Sequence, residues 1–274
     1  MDIVKPAPIQ LGGRYLYTLS SYDPVEVEVY VPSVTDDDVE LAIEALAREN
    51  GAEPAEVDDA WVAEHIDGAD SVESMRSLVR SQLGEMNSYM AEREKAERCA
   101  AKLAERLGQS VPDDEVARVA AAMMASIQQD LADSGMDISA LAAQGGPSIS
   151  QLEAMVAADA KGVAERDAAL SAFASERKLA VDETEYPALL GLPPKGAAEL
   201  IEDARKAGQS ESLRQAALNA KAMRIVVDEC RCSYMHETPE QAQVRIAKMR
   251  ELRAKADGGS DIPEGGIDPE LKLV

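Results

Sequence analysis

The sequence predicts a mainly α protein: an elongated multi-helix body with helical arms and a small N-terminal β element. Three observations carry that expectation. From Thr35 onward, apolar residues recur at spacings of three and four, the period of one buried helix face. Hydrophobic residues make up 46% of the chain but aromatics only 3%, with one Trp and one Phe against 11 Met. The buried faces are therefore built from small or flexible side chains, which favours thin cores between helices over a compact globule. Only VEVEVYV, residues 25–31, alternates apolar and acidic positions as a half-buried strand does.

The elements follow in order. Tyr15, Tyr17, Tyr22 and Tyr30 gather near that strand, and Asp23-Pro24 predicts a turn between two short strands that nothing later repeats. Thr35, with Asp38 three positions on, caps a helix whose stripe is Val39, Ile43 and Leu46. NGAEPAEV, residues 50–57, reads as a linker. A short helix carries Trp61, Val62 and Ile66. Asp70 and Glu73 then cap the longest segment, whose apolar positions run from Val72, Met75, Val79, Leu83, Met86 and Met90 to Cys99, Leu103 and Leu107. Gly108 ends it and Pro112 opens the next helix, with Val116, Val119, Met123, Ile127 and Leu131 on one side and Gly135 as its stop.

A short helix around Ile138 and Leu141 ends at Gly145-Gly146-Pro147. Ser150 and Glu153 cap a second long helix with the stripe Leu152, Val156, Val163, Leu170 and Phe173. YPALLGLPP marks a turn. A helix over 196–207 follows, then one carrying Leu213, Ala216, Ala220, Met223, Val227 and Cys230. Thr238-Pro239 starts a last, more exposed helix before the Gly-, Pro- and Asp-rich tail, read as mobile. This divides the chain into an N-terminal extension over 1–34, a linker helix and loop over 35–56, a helical domain over 57–235, and an exposed helix with an acidic tail over 236–274.

Charge bears on partners. The formal net charge is −23, and nucleic acid or anionic lipid needs a basic face that this chain lacks. No nucleic-acid or membrane partner is therefore expected. No apolar run reaches membrane-spanning length. MDIVKPAPIQ lacks the basic start and apolar stretch of a secretory signal, and three cysteines point to reduced thiols. The expected setting is the cytoplasm.

Catalytic constellations are missing from the sequence. Of two histidines, His65 reads as a surface or cap residue. Cys230, Cys232 and His236 form C-x-C-x3-H, which offers two or three metal ligands but no fourth, and Cys230 also fits its helix stripe, so packing is preferred to zinc. Asp36-Asp37-Asp38 complements a helix N-terminus. No phosphate-binding glycine loop, zinc-protease motif or nucleophile elbow is present. Neither an enzyme nor a cofactor is expected.

The order of several segments resembles trigger factor, the bacterial chaperone for nascent polypeptides. VPSVTDDDVELAIEAL resembles the family's strand, V-T-D-x-D-V and helix. VDDAWVAEHIDGADSVESMRSLVRSQL resembles its short helix followed by a capped S-x-x-x-L-R helix. SVPDDEVARVAAAMMASIQQDL resembles the V-P-x-x-[LV]-V helix that opens the first chaperone arm, and QSESLRQAALNAKAMRIVVDEC its closing helix. The resemblance covers roughly residues 25 to 232 and implies a peptide-cradling helical domain, similar in plan to the periplasmic survival-type chaperones. Two parts of the family pattern are missing. The gap between Leu46 and Trp61 is too short for a prolyl-isomerase domain, and the ribosome-docking G-F-R-x-G-K-x-P is absent, so ribosome binding is not carried over.

The resemblance implies unfolded or nascent polypeptides as partners. Methionine's flexible thioether suits a surface that accepts many apolar sequences, so the candidate peptide-binding residues are Met75, Met86, Met90, Met124, Leu131, Met136, Leu141, Met155 and Phe173. Met123 and Ile127 are expected in a core, with Met124 one position round the helix. The alternative is a scaffold or self-associating helical protein with one fixed partner; Ala-rich faces leave a homodimer open.

Overall fold

The computed structural model describes residues 5–11, 14–143 and 145–257, so the predicted tail beyond 257 lies outside the described residues. Strands β1 (Ile9–Leu11) and β2 (Arg14–Leu16) pair antiparallel, with Ile9 opposite Leu16. Strand β3 (Glu26–Val31) pairs with β4 (Arg231–His236). Helices α1 (Asp36–Glu49), α2 (Asp59–His65) and α3 (Val72–Glu105) follow β3. Then come α4 (Asp113–Asp133), α5 (Ile138–Ala143), α6 (Ile149–Glu176), α7 (Tyr186–Leu189), α8 (Pro194–Lys206) and α9 (Ser210–Glu229), with α10 (Pro239–Asp257) after β4. The expected mainly α class holds.

Packing divides the chain into two discontinuous units. Unit 1 takes the described residues through Val27 together with Lys95–Cys232; unit 2 takes Glu28–Glu94 and the described residues from Ser233 onward. These boundaries differ from the four sequence segments.

In unit 1, α6 is central and packs along α4 and α9. Its inward residues Ala160, Ala164, Ala168, Ala169, Ala172 and Ala174 are all buried, so neighbouring backbones approach closely, with Leu170 and Phe173 filling the remaining space. Cys99, Leu103 and Leu107 from the α3 end, together with Leu19, Val25 and Val27, complete that core. Ser20 N–H donates to Arg106 O at 2.7 Å and Gly108 N–H to Thr18 O at 2.8 Å, fixing the N-terminal segment to the end of α3.

Unit 2 has its own smaller core of Val39, Ile43, Val62, Met75 and Val79, with Leu46, Trp61, Ile66 and Leu83 packed around it. The Thr35–Asp38 capping box forms as predicted.

Several local expectations shift. A strand does recur: β4 joins β3, Arg231 N–H donating to Val25 O at 2.8 Å and Glu237 N–H to Val31 O at 3.1 Å. Both strands advance by the same number of residues between these bonds, so the pair runs parallel, and Asp23-Pro24 leads into β3 instead of closing a hairpin. RCSYMH lacks strand alternation because its pairing rests on backbone bonds while nearly all its side chains are exposed. The α6 cap is Ser148 with Gln151, two residues before the predicted pair. At α3, Ser71 Oγ accepts from Ser74 N–H, and Asp59 takes the Val72 N–H at 2.7 Å. Pro112 sits at the N-cap of α4, outside its first turn. On α9 the buried residues are Ala217, Leu218, Ala222 and Val226. The face lies round the helix from the predicted one because α9 also packs on α7 and α8. The last helix is less free than expected, since Ala242 and Ile246 are buried.

Candidate functional site

The outer half of α4 is where apolar side chains stay unsealed. Val119 is buried against the unit 1 core and Met123 is partly so. From Ala120 to Asp133, however, no residue is fully buried, although Met123, Met124, Ile127 and Leu131 lie in this stretch. A helix that merely filled a core would seal such residues. Gly135, at φ +71, turns the chain: its N–H donates to Ala132 O at 2.9 Å and Met136 N–H to Leu131 O at 2.8 Å, a Schellman motif. Met136, Ile138 and Leu141 follow, all half-buried. Gly146 then closes the turn onto Leu141: a Cβ placed there would meet Leu141 Cγ at 2.7 Å and its carbonyl oxygen at 2.9 Å.

The facing helix α6 buries Leu152 and Val156 but leaves Ile149 54% and Met155 56% exposed. The α4–α5–α6 arm is thus held by a narrow seam and shows the rest of its apolar surface. No Lys or Arg occurs between Arg118 and Lys161, while Asp130, Asp133, Asp137, Glu153 and Asp159 keep the arm acidic.

The sequence candidates separate by burial. Met124, Leu131, Met136, Leu141 and Met155 share this arm. Phe173 does not: it is 3% exposed in the unit 1 core, with the Arg177 guanidinium 5.2 Å from its ring centroid. Met75 is fully buried in the unit 2 core. A side chain sealed by its own core offers no surface to a ligand, so these two residues pack. In unit 2, Met86 and Met90 continue the stripe that begins at Met75 and Val79. They extend beyond the core formed with α1 and α2 and are 37% and 49% exposed, beside the exposed Tyr89.

A second feature of unit 1 had no sequence signal. A groove of about 650 Å³ is lined by β2, α4, α6 and α9. On its floor, Gln215 Nε2 donates to Ser171 Oγ at 3.3 Å and to Asn219 Oδ1 at 3.0 Å. Tyr15 Oη donates to Asp114 Oδ2 at 2.9 Å. Burial raises the Asp167 carboxyl above its ordinary range, against the Asn219 hydrogen bond that lowers it. The Tyr17 hydroxyl is pushed up to about 12, first by burial and then by the negative charges of Glu115 and Asp114. Its oxygen is buried without a hydrogen-bond partner among the described residues. The lining is rich in groups that hydrogen-bond.

His65 stacks on Trp61, with ring centroids 4.7 Å apart, and its Nδ1 lies 2.9 Å from Trp61 O, in keeping with a cap histidine. Among the described residues no group of three or more His, Cys, Asp or Glu is placed to hold a metal ion, and no helix is long and apolar enough to cross a membrane.

No curated protein matches the chain. The family described as the C-terminus of bacterial trigger factor protein matches residues 71–228. That range takes in α3, the α4–α5–α6 arm and nearly all of α9, more than half of the sequence. The chain belongs to the trigger factor C-terminal family.

Proposed function

We propose that this protein binds unfolded or nascent polypeptides without nucleotide, holding them through the pliable apolar surface of the α4–α5–α6 arm and through the exposed Met86–Met90 face of α3. One observation carries the reading. In a chain of a chaperone family, α4 keeps Met123, Met124, Ile127 and Leu131 short of full burial over its whole outer half. Each client side chain that such a surface covers contributes about 1.5–3 kcal/mol before the cost of ordering it. A few contacts give capture that is weak and reversible, as a holding chaperone needs. Thioethers adapt to different client shapes at small cost, and the surrounding acidic charge keeps an exposed apolar surface soluble. The cytoplasm is the setting this reading assigns. Prolyl isomerisation and ribosome docking form no part of it.

The test follows aggregation of several unrelated denatured proteins at increasing ratios of this chain, with its mass in solution measured alongside. Suppression across the set is the expected result. A tight defined oligomer that suppresses none of them would replace the reading with that of a scaffold.

A further inference from the structure

Strand β2 has a free edge. It pairs with β1 on one side, and among the described residues no strand pairs with the other. That free side borders the groove of unit 1. The hollow of about 650 Å³ takes Arg14, Tyr15 and Tyr17 into its wall, and an adjoining one of about 350 Å³ takes Arg14, Tyr15, Leu16 and Tyr17. Successive side chains of a strand point to opposite faces. A wall built from consecutive residues, with none from β1, is therefore the edge of the strand and not one of its faces. The two hollows also share Ser171 of α6 and Gln215 of α9, so they form one trough between β2 and those helices.

We propose that this trough takes about four residues of an extended polypeptide, one for each of residues 14–17, as a third strand beside β2. The choice of unfolded chain as occupant rests on the capture reading above. An edge strand presents unpaired N–H and C=O groups, which pair with another main chain whatever its sequence.

The opposite wall suits a main chain. Gln215 Nε2 donates to Ser171 Oγ at 3.3 Å and to Asn219 Oδ1 at 3.0 Å, which fixes the amide and leaves its Oε1 without a hydrogen-bond partner among the described residues. A fixed acceptor takes a peptide N–H at little cost in ordering. Ala168, Ala216 and Ala220 keep the lining low, which leaves room for varied side chains. The charges along the trough are already spent on one another. Arg14 and Arg214 pair with Glu211, and Arg118 pairs with Glu115 at 3.3 Å. A small anion or a strongly charged segment would have to break those pairs, whereas neutral amides would not. Ile9, Leu11 and Leu16 of the strand pair are exposed, so an apolar residue on the added strand gains cover beside Leu16.

The experiment uses the full chain and a fluorescein-labelled neutral peptide of alternating Val and Thr, beside the same peptide N-methylated throughout. Binding is read by anisotropy and by amide exchange of the protein. The unmethylated peptide is expected to slow exchange over residues 14–17. Methylation is expected to weaken binding about tenfold, as the loss of one or two main-chain hydrogen bonds requires. Gln215→Ala should weaken it about threefold. Exchange is measured on the parent chain, so the test stands even if Gln215→Ala disturbs unit 1. Unchanged exchange over 14–17, or equal binding of the methylated peptide, would overturn the proposal and leave the capture reading intact. Protection over 14–17 in a chain that suppresses aggregation of no denatured protein would instead keep the trough and remove the capture reading.

Discussion

Arg245 forks onto Glu237, its Nε donating to Oε1 at 2.8 Å and its Nη2 to Oε2 at 2.9 Å. The same guanidinium reaches the Asp38 carboxylate at 2.6 Å and Ser33 O at 3.2 Å. The Glu237 side chain is fully buried. Its remaining capacity is used by the Ser33 N–H at 3.0 Å and the Ser33 hydroxyl at 2.9 Å. Asp38 also closes the Thr35 capping box. One network centred on the buried Glu237 carboxylate thus ties the start of α1 to α10 within unit 2, with bidentate geometry that lysine would not reproduce.

This network gives unit 2 an acid limb. The Arg245 hydrogen bond, opposed by burial and aided by Tyr30 and Ser33, lowers the Glu237 carboxyl from 4.5 to about 2. The depressed folded value means that its contribution is fully present above pH 4.5 and is lost as pH falls toward 2. The difference corresponds to an upper bound of about 3 kcal/mol. Glu237→Gln leaves the Arg245 charge half-paired and is expected to cost about 3 kcal/mol at neutral pH. It should also flatten the loss of stability between pH 4.5 and 2. Urea unfolding at a series of pH values checks both, and an acid limb as steep as that of the parent would show that the stability comes from elsewhere.

Lys178 ends α6 in the left-handed region, at φ +51, a conformation that glycine adopts without a Cβ clash. Lys178 N–H donates to Ser175 O at 3.1 Å and Leu179 N–H to Ala174 O at 2.9 Å, so the Schellman geometry is set by the backbone. Lys178→Gly is expected to stabilise the protein by about 0.5–1 kcal/mol, the relief of left-handed strain exceeding the added freedom of the unfolded chain. A thermal midpoint that falls would show that the lysine makes a compensating interaction.

Gly146 lies against Leu141 too closely to carry a side chain. Gly146→Ala should therefore open the α5–α6 turn at a cost of about 1–3 kcal/mol. Because the arm is held by a narrow seam, the effect is expected as faster amide exchange over 136–150, with little change in the unit 1 core. Uniform loss of protection would mean that the arm and the core unfold together.

What the sequence revealed depended on the range of the interaction. The Thr35 box, the α3 stripe and the Gly135 stop are local, governed by neighbours three or four residues away, and each formed where the pattern placed it. The β3 partner of β4, and the Ser33 and Asp38 ends of the Glu237–Arg245 network, lie more than a hundred residues away in the chain, a range over which periodicity carries no signal. The same limit explains the split among the methionines. Met75 and Met86 occupy one stripe of α3 with the same side-chain chemistry. Only the reach of α1 and α2 decides that the first is sealed and the second is not.

That split gives the sharpest test of the arm and of the α3 face. Met75→Ala removes a fully buried side chain from a small core and is expected to cost about 2–5 kcal/mol of stability, with little direct effect on client capture while the protein stays folded. Met155→Gln and Met90→Gln alter side chains that are already half in water, so stability should move by no more than about 0.5 kcal/mol. If these faces hold clients, the double variant loses one or two apolar contacts and captures a denatured reporter several-fold more weakly. Unfolding midpoints and reporter aggregation measured on the same preparations separate the cases. Unchanged capture by Met90→Gln with Met155→Gln would remove both faces from the binding surface, since nothing else in those variants would have failed.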